Sequence, residues 1–176
     1  MKKIFLTAVF VLTALLANAQ EVNWISFEEA LALNKKSPKP ILVDLYTDWC
    51  GWCKRMDATT YKNNVIVKYI NDNYYAVKMD GEGKEDITFK GHTFKFVQKK
   101  LDNGKTVKYH EFTAAVLDGK MSYPSTVFFN SQEQIIQKVP GYITQEKFEK
   151  ILAYFSGEHY NKTPWEDFQK NFKSSL

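Results

Sequence analysis

The sequence predicts an α/β domain, and three observations carry that expectation. Short apolar runs suited to strands, residues 41–46 and 74–79, alternate with segments patterned as helices. Two further strand-like runs, 125–129 and 134–139, are separated by the turn Asn130-Ser131-Gln132-Glu133 and read as an antiparallel pair. The only two cysteines, Cys50 and Cys53, stand where the first strand gives way to a helix.

Taken in order, Ser26-Phe27-Glu28-Glu29 forms a capping box, in which Ser26 accepts from the Glu29 amide and the glutamate reaches back. Ala30, Leu31 and Leu33 continue that helix, with Trp24 and Ile25 packing at its entry. Pro38 and Pro40 end it, because proline cannot continue a helix and biases the residue before it toward extended geometry. Ile41 to Tyr46 is almost continuously apolar, as a central strand covered on both faces must be; Asp44 is the exception. Residues 54–60 suit a helix, continued or restarted over 63–70, and 74–79 is a second core strand. The lysine-rich stretch 81–108 is an excursion from this alternation, with a hairpin pattern over 87–96 and a turn at Asp102-Asn103-Gly104. It reads as a solvated surface, with partner docking as the alternative. A short helix over 111–117 leads to Tyr123-Pro124 and the antiparallel pair. Thr144 caps a helix whose Phe148, Ile151, Leu152 and Phe155 share one face, and Gly157 closes it. Thr163-Pro164-Trp165-Glu166 signals one more capped helix within a C-terminal extension, 160–176.

The 176 residues suit one domain. The first nineteen read as a signal peptide: Lys2 and Lys3, an apolar stretch from Ile4 to Leu16, then Ala17-Asn18-Ala19 with cleavage after Ala19. An uncleaved anchor is the alternative, disfavoured by the shortness of the run. Export to the periplasm or the medium follows, with no stable membrane insertion after cleavage and a mature domain over 20–176. Without Lys2 and Lys3, 22 basic residues face 20 acidic ones. That balance gives no reason to expect nucleic acid or an acidic membrane as partner.

Export sharpens the meaning of the cysteines. A structural disulfide in an oxidising compartment usually closes a long loop, since that restricts the unfolded chain most. Cys50 and Cys53 would close almost nothing, so the spacing points instead to a bond that opens and closes. An inert structural pair is one alternative. A metal site is another, but zinc needs four protein ligands where this pair supplies two, and His92, His110 and His159 are scattered. No metal or cofactor is expected. Haem attachment is excluded because Lys54, not histidine, follows Cys53.

The segment Val43-Asp44-Leu45-Tyr46-Thr47-Asp48-Trp49-Cys50-Gly51-Trp52-Cys53-Lys54 resembles the redox segment of the thioredoxin family. Tyr123-Pro124-Ser125-Thr126 resembles that family's cis-proline loop, Gly141 stands where a family glycine follows the last strand, and the element order agrees. The resemblance spans roughly residues 24–155 and implies a thioredoxin fold: a central mixed β-sheet flanked by helices, here with the 81–108 insertion before the cis-proline loop and an extra C-terminal helix. It further implies a thiol–disulfide oxidoreductase in which Cys50 attacks and Cys53 resolves. The resemblance implies that Asp44 assists the proton transfer at Cys53 and that Trp49, Gly51, Trp52, Tyr123 and Pro124 line the substrate side; Trp49 as packing, Trp52 as a merely exposed ring and Pro124 as an ordinary turn proline are the other readings. Physically, Cys50 precedes a helix whose free N–H groups favour a thiolate. Asp44 in an apolar strand should have a raised pKa; pairing with Lys78 for the fold alone is its other reading. Two residues depart from the family pattern: Tyr123 is bulkier than the usual neighbour of the proline, and Trp52 replaces the usual proline between the cysteines. Gly51-Trp52 also lacks the histidine of many oxidases, which favours a reductant. The expected substrates are disulfides in extracytoplasmic proteins, with a membrane protein as electron donor. A thiol oxidase or isomerase, or a binding module whose disulfide is not turned over, are the competing readings.

Overall fold

The computed structural model describes residues 21–176. The expected leader, 1–19, lies outside the described residues. Five strands form one mixed sheet in the order β1 (Trp24–Ile25), β3 (Tyr75–Asp80), β2 (Ile41–Tyr46), β8 (Ser125–Phe129), β9 (Ile135–Pro140). The first three run parallel, and β8 and β9 are each antiparallel to their neighbours. Strand β2 is therefore central, and Ile41 to Leu45 are all buried. Alternation along it divides the core. Leu42 packs with Met56, Ile66, Ile70, Phe128 and Phe148 on one face. Ile41, Val43 and Leu45 pack with Phe27, Phe112 and Phe129 on the other. Helices α2 (Gly51–Ala58), α3 (Asn64–Asn73) and α5 (Gln145–Ser156) cover the first face; α1 (Phe27–Lys36) and α4 (Glu111–Val116) cover the second.

The local signals explain most boundaries. Ser26 Oγ accepts from the Glu29 amide at 3.0 Å, and α1 has Glu28 and Glu29 in its first turn and Lys35 and Lys36 in its last, matching the helix dipole. The helix after the cysteines restarts rather than continues. A single 3-10 turn intervenes, and Asn63 caps α3 by accepting from the amides of Val65 and Ile66. Strand β1 is only two residues long, too short for any periodicity to reveal. In α6 (Trp165–Asn171) the expected capping box does not form: Pro164 is the cap and makes no side-chain bond. The Thr163 N–H donates instead to the His159 carbonyl at 2.9 Å; its own carbonyl accepts from the Tyr154 hydroxyl at 2.7 Å, and Trp165 and Phe168 pack on the Tyr154 ring.

After β3 the chain makes two hairpins, β4 (Ile87–Phe89) with β5 (His92–Phe94), and β6 (Phe96–Lys100) with β7 (Thr106–His110). The first turns at Lys90 and Gly91, both at positive φ, the geometry whose twist suits a two-residue hairpin. Gly81 ties this excursion to the sheet: its N–H donates to the Tyr46 carbonyl and its own carbonyl accepts from the His110 amide, each at 2.7 Å.

Candidate active site

Strand β2 ends at Tyr46, and helix α2 starts at Gly51 after four intervening residues, so Cys50 falls on the N-cap. Cys50 and Cys53 are joined as a disulfide with Cα atoms 5.3 Å apart, and both are buried. The Cys50 sulfur accepts from the Cys53 amide at 3.1 Å, the bond that a serine or aspartate oxygen makes at an ordinary cap. A Cβ added at Gly51 would meet nothing within 4 Å, so Gly51 faces open space next to Cys50.

Beneath α2 lies Asp44. It shares the Leu42 face of β2 and is only 2% exposed. The Lys78 ammonium, from the neighbouring position on β3, reaches Asp44 Oδ2 at 3.2 Å and also pairs with Asp57 on α2. It lies over the rings of Trp24, Tyr46 and Tyr61 at 5.0 to 5.6 Å. Asp44 Oδ1 and the Tyr61 hydroxyl are buried without a hydrogen bond. Burial pushes the Asp44 pKa up to about 6, against the pull of Lys78 and with help from the Asp57 charge. Burial, then the Asp44 charge, holds the Tyr61 phenol well above its ordinary value. Lys78 is thus the partner of Asp44, and yet the carboxyl remains poised near neutrality.

Two aromatic walls rise beside the disulfide. On one side Trp49, 67% exposed, donates from Nε1 to Glu82 at 3.0 Å and meets the Tyr123 ring edge-on at 5.9 Å. Tyr123 packs against Gly81, where a Cβ would stand 2.1 Å from its hydroxyl, and burial followed by the charges of Glu82 and Asp80 pushes its pKa up to about 12. Phe96, Gln98 and Lys108 of the second hairpin line one cleft with Asp48 and Glu82, so the excursion borders the redox loop. On the other side Trp52, 57% exposed, faces Tyr142 at 5.7 Å. The Arg55 guanidinium lies over both rings, at 5.3 and 5.6 Å. The Tyr123–Pro124 peptide bond is cis, and the Pro124 carbonyl accepts from Gly141 N–H at 2.7 Å, which brings the end of β9 to this loop.

Of the residues singled out in the sequence, Cys50, Gly51, Trp52 and Cys53 stand together at the start of α2. Asp44 lies under that helix; Trp49 and Tyr123 meet in one wall. Sequence reasoning passed over Gly81, Glu82, Asp57, Tyr61, Arg55 and Tyr142. Only Arg55 left a signal: it is the sole arginine, three residues after Trp52 and so on the same side of a helix. Among the described residues no group of three or more His, Cys, Asp or Glu side chains is placed to hold a metal ion. No helix among them is long and apolar enough to cross a membrane.

A family model described as a thioredoxin-like domain matches residues 27–156. Over 146 residues, 82% of this chain, the sequence is 26% identical to the thiol:disulfide interchange protein DsbD of Pectobacterium atrosepticum. The chain spans 21% of that protein's length and 9% of an uncharacterised Caenorhabditis elegans protein to which it is 31% identical over 67 residues. Among solved structures, a thioredoxin-fold protein from Helicobacter pylori aligns with a TM-score of 0.55 at 18% identity, covering 76% of this chain and 83% of that one. A putative disulphide-isomerase from Bacteroides thetaiotaomicron aligns with a TM-score of 0.52 at 24% identity, covering 81% and 98%.

Proposed function

The chain belongs to the thioredoxin-like family; on that premise we propose that it is a thiol–disulfide oxidoreductase, an exported reductase of protein disulfides. The observation that carries the reading is the Cys50–Cys53 pair at the cap of α2, above a buried carboxyl poised near pH 6.

In the reduced protein, the N-cap position and its free N–H groups stabilise a Cys50 thiolate. That thiolate attacks one sulfur of a substrate disulfide. The substrate S–S bond breaks, the first substrate sulfur leaves as a thiolate and takes a proton from solvent, and a Cys50–substrate disulfide forms. Asp44, ionised above pH 6, takes the proton of the Cys53 thiol. The Cys53 thiolate then attacks Cys50 Sγ, the mixed disulfide breaks, and the second substrate thiolate leaves and takes a proton from solvent, to which Asp44 releases its own. Two electrons pass to the substrate, which ends with two thiols, and the protein ends with the Cys50–Cys53 disulfide. Trp49, Gly51, Trp52, Tyr123 and Pro124 form the surface that receives the substrate chain. An extracytoplasmic reductase must be re-reduced, and a membrane dithiol protein is the donor class this implies. The leader-like residues 1–19 support export, and the absence of histidine between the cysteines supports the reducing direction.

Reduced protein should turn over a protein disulfide. Cys50→Ser should abolish the reaction, and Cys53→Ser should accumulate the mixed disulfide. A Cys50–Cys53 potential near about −270 mV fits the reductase; one near about −120 mV would make the protein an oxidant. If the wild type exchanges with no disulfide at any potential, the reading is wrong.

A further inference from the structure

Resting on the oxidoreductase reading, we propose that Arg55, held between Trp52 and Tyr142, is a specificity-determining residue that selects substrate disulfides flanked by a carboxylate side chain. Arg55 is exposed and makes no ion pair among the described residues. Two aromatic faces hold its guanidinium at 5.3 and 5.6 Å, which fixes the position of the charge without neutralising it. One of those rings belongs to Trp52, between the two cysteines. The other is itself anchored, since the Tyr142 hydroxyl is hydrogen-bonded to Thr59 Oγ1 at 3.1 Å. Tyr142 follows Gly141, whose N–H is bonded to the Pro124 carbonyl. The cation therefore borders the space between the disulfide and the Pro124 loop, where a substrate chain must lie.

The opposite wall is net acidic, its cleft lined by Asp48, Asp80, Glu82 and Glu85 against Lys84 and Lys108. Glu82 accepts from Trp49, and Asp48 and Glu82 lie close enough to Asp80 for their charges to raise its pKa, after the larger effect of burial. A carboxylate beside the substrate cysteine is repelled from the Trp49 wall and attracted to the Trp52 wall. A guanidinium offers it a planar pair of donors that an ammonium does not. Since the substrates are polypeptides, the anion is an aspartate or glutamate side chain. The gain is that of a partly exposed ion pair, several-fold in rate and screened by salt.

The test is the rate of reduction of three disulfide peptides that differ only in one residue beside the attacked cysteine: Glu, Gln or Lys. The wild type should reduce the Glu peptide about fivefold faster than the Lys peptide in kcat/KM at low salt, with the ratio shrinking toward one at high salt. Arg55→Gln should flatten the ratio, and Arg55→Glu should invert it. Because the readout is a ratio within each variant, a general loss of activity does not imitate it. A wild-type ratio of one, or the same ratio in Arg55→Glu, overturns the inference while leaving the oxidoreductase reading standing. Failure of the wild type to reduce any of the three overturns the inference, and exchange with no disulfide at any potential overturns the oxidoreductase reading as well.

Discussion

Asp44→Asn should make the oxidised protein more stable at pH 8, and by far less at pH 4. The Asp44 carboxyl is 2% exposed, with one oxygen 3.2 Å from Lys78 and the other without a hydrogen bond. Its folded-state pKa is about 6 against an ordinary 3.8. A pKa raised by folding means that the protonated carboxyl is the form the fold tolerates. The associated stability is whole below pH 3.8 and is lost as pH rises through about 6. At about 1.36 kcal/mol per tenfold change in proton affinity, the gap corresponds to roughly 3 kcal/mol by pH 8. The attraction of Lys78 is already contained in that pKa, and in the variant Lys78 keeps Asp57. Asparagine has nearly the same shape and cannot ionise, so it escapes the loss. Any cost of the amide itself is independent of pH and cancels when the two pH values are compared, as do the other titrating groups. Denaturant unfolding of wild type and variant at pH 4 and pH 8 reads the difference directly. An advantage of the variant that is equal at the two pH values, or larger at pH 4, would refute the assignment of a buried, ionising carboxyl to Asp44.

The same residue should leave a kinetic trace: release of substrate from the Cys50 mixed disulfide should accelerate through about pH 6 in the wild type, and Asp44→Asn should lose that rise in single-turnover kinetics. Gly81→Ala should cost about 1–3 kcal/mol, because the new methyl group meets the Tyr123 ring, and Tyr123→Ala in the same chain should return most of it; strict additivity in the double-mutant cycle would reject the contact. Removing Ser174 to Leu176 should cost about 1–3 kcal/mol in equilibrium unfolding, because buried Glu149 accepts from Ser174 Oγ and from the Ser175 amide; unchanged stability would show that these bonds carry no weight.

Much of the fold was legible because its signals are local. The Ser26 and Thr144 caps, the continuous apolar run of β2 and the helical face of Phe148, Ile151, Leu152 and Phe155 each lie within one element. What could not be read depends on distance along the chain. Strand β1 exists only because Trp24 and Ile25 align with Ala76 and Val77. The Thr163 capping box is missing because the Thr163 N–H is already bonded to the His159 carbonyl, a partner that the capping pattern does not announce. The candidate site divides the same way. The cysteines, Asp44 and Pro124 belong to short motifs. Gly81, Glu82 and Tyr142 matter through partners far along the chain: Glu82 through Trp49, 33 positions away, Gly81 through Tyr123, 42 away, and Tyr142 through Thr59, 83 away.

The sequence offers two chemically identical thiols, and the fold makes them different. Burial does not separate them, at 5% and 3% exposure. Their positions on α2 do. Cys50 is the cap, outside the first helical turn, where its sulfur already accepts a backbone N–H and where the neighbouring Gly51 presents no side chain to an approaching chain. Cys53 is inside the turn, on the buried side of the helix that lies over Asp44 and Lys78. A charge on Cys50 is stabilised by the helix end before any substrate arrives. In the proposed reaction a charge on Cys53 must be made in place, by a group able to take its proton near neutral pH. Asp44 with an ordinary pKa would be too weak a base for that exchange, and with one raised far above 7 it would arrive already protonated. Its value of about 6 is the compromise between burial and Lys78, and in the proposed reaction the instability it brings above that pH is the counterpart of its role as the base.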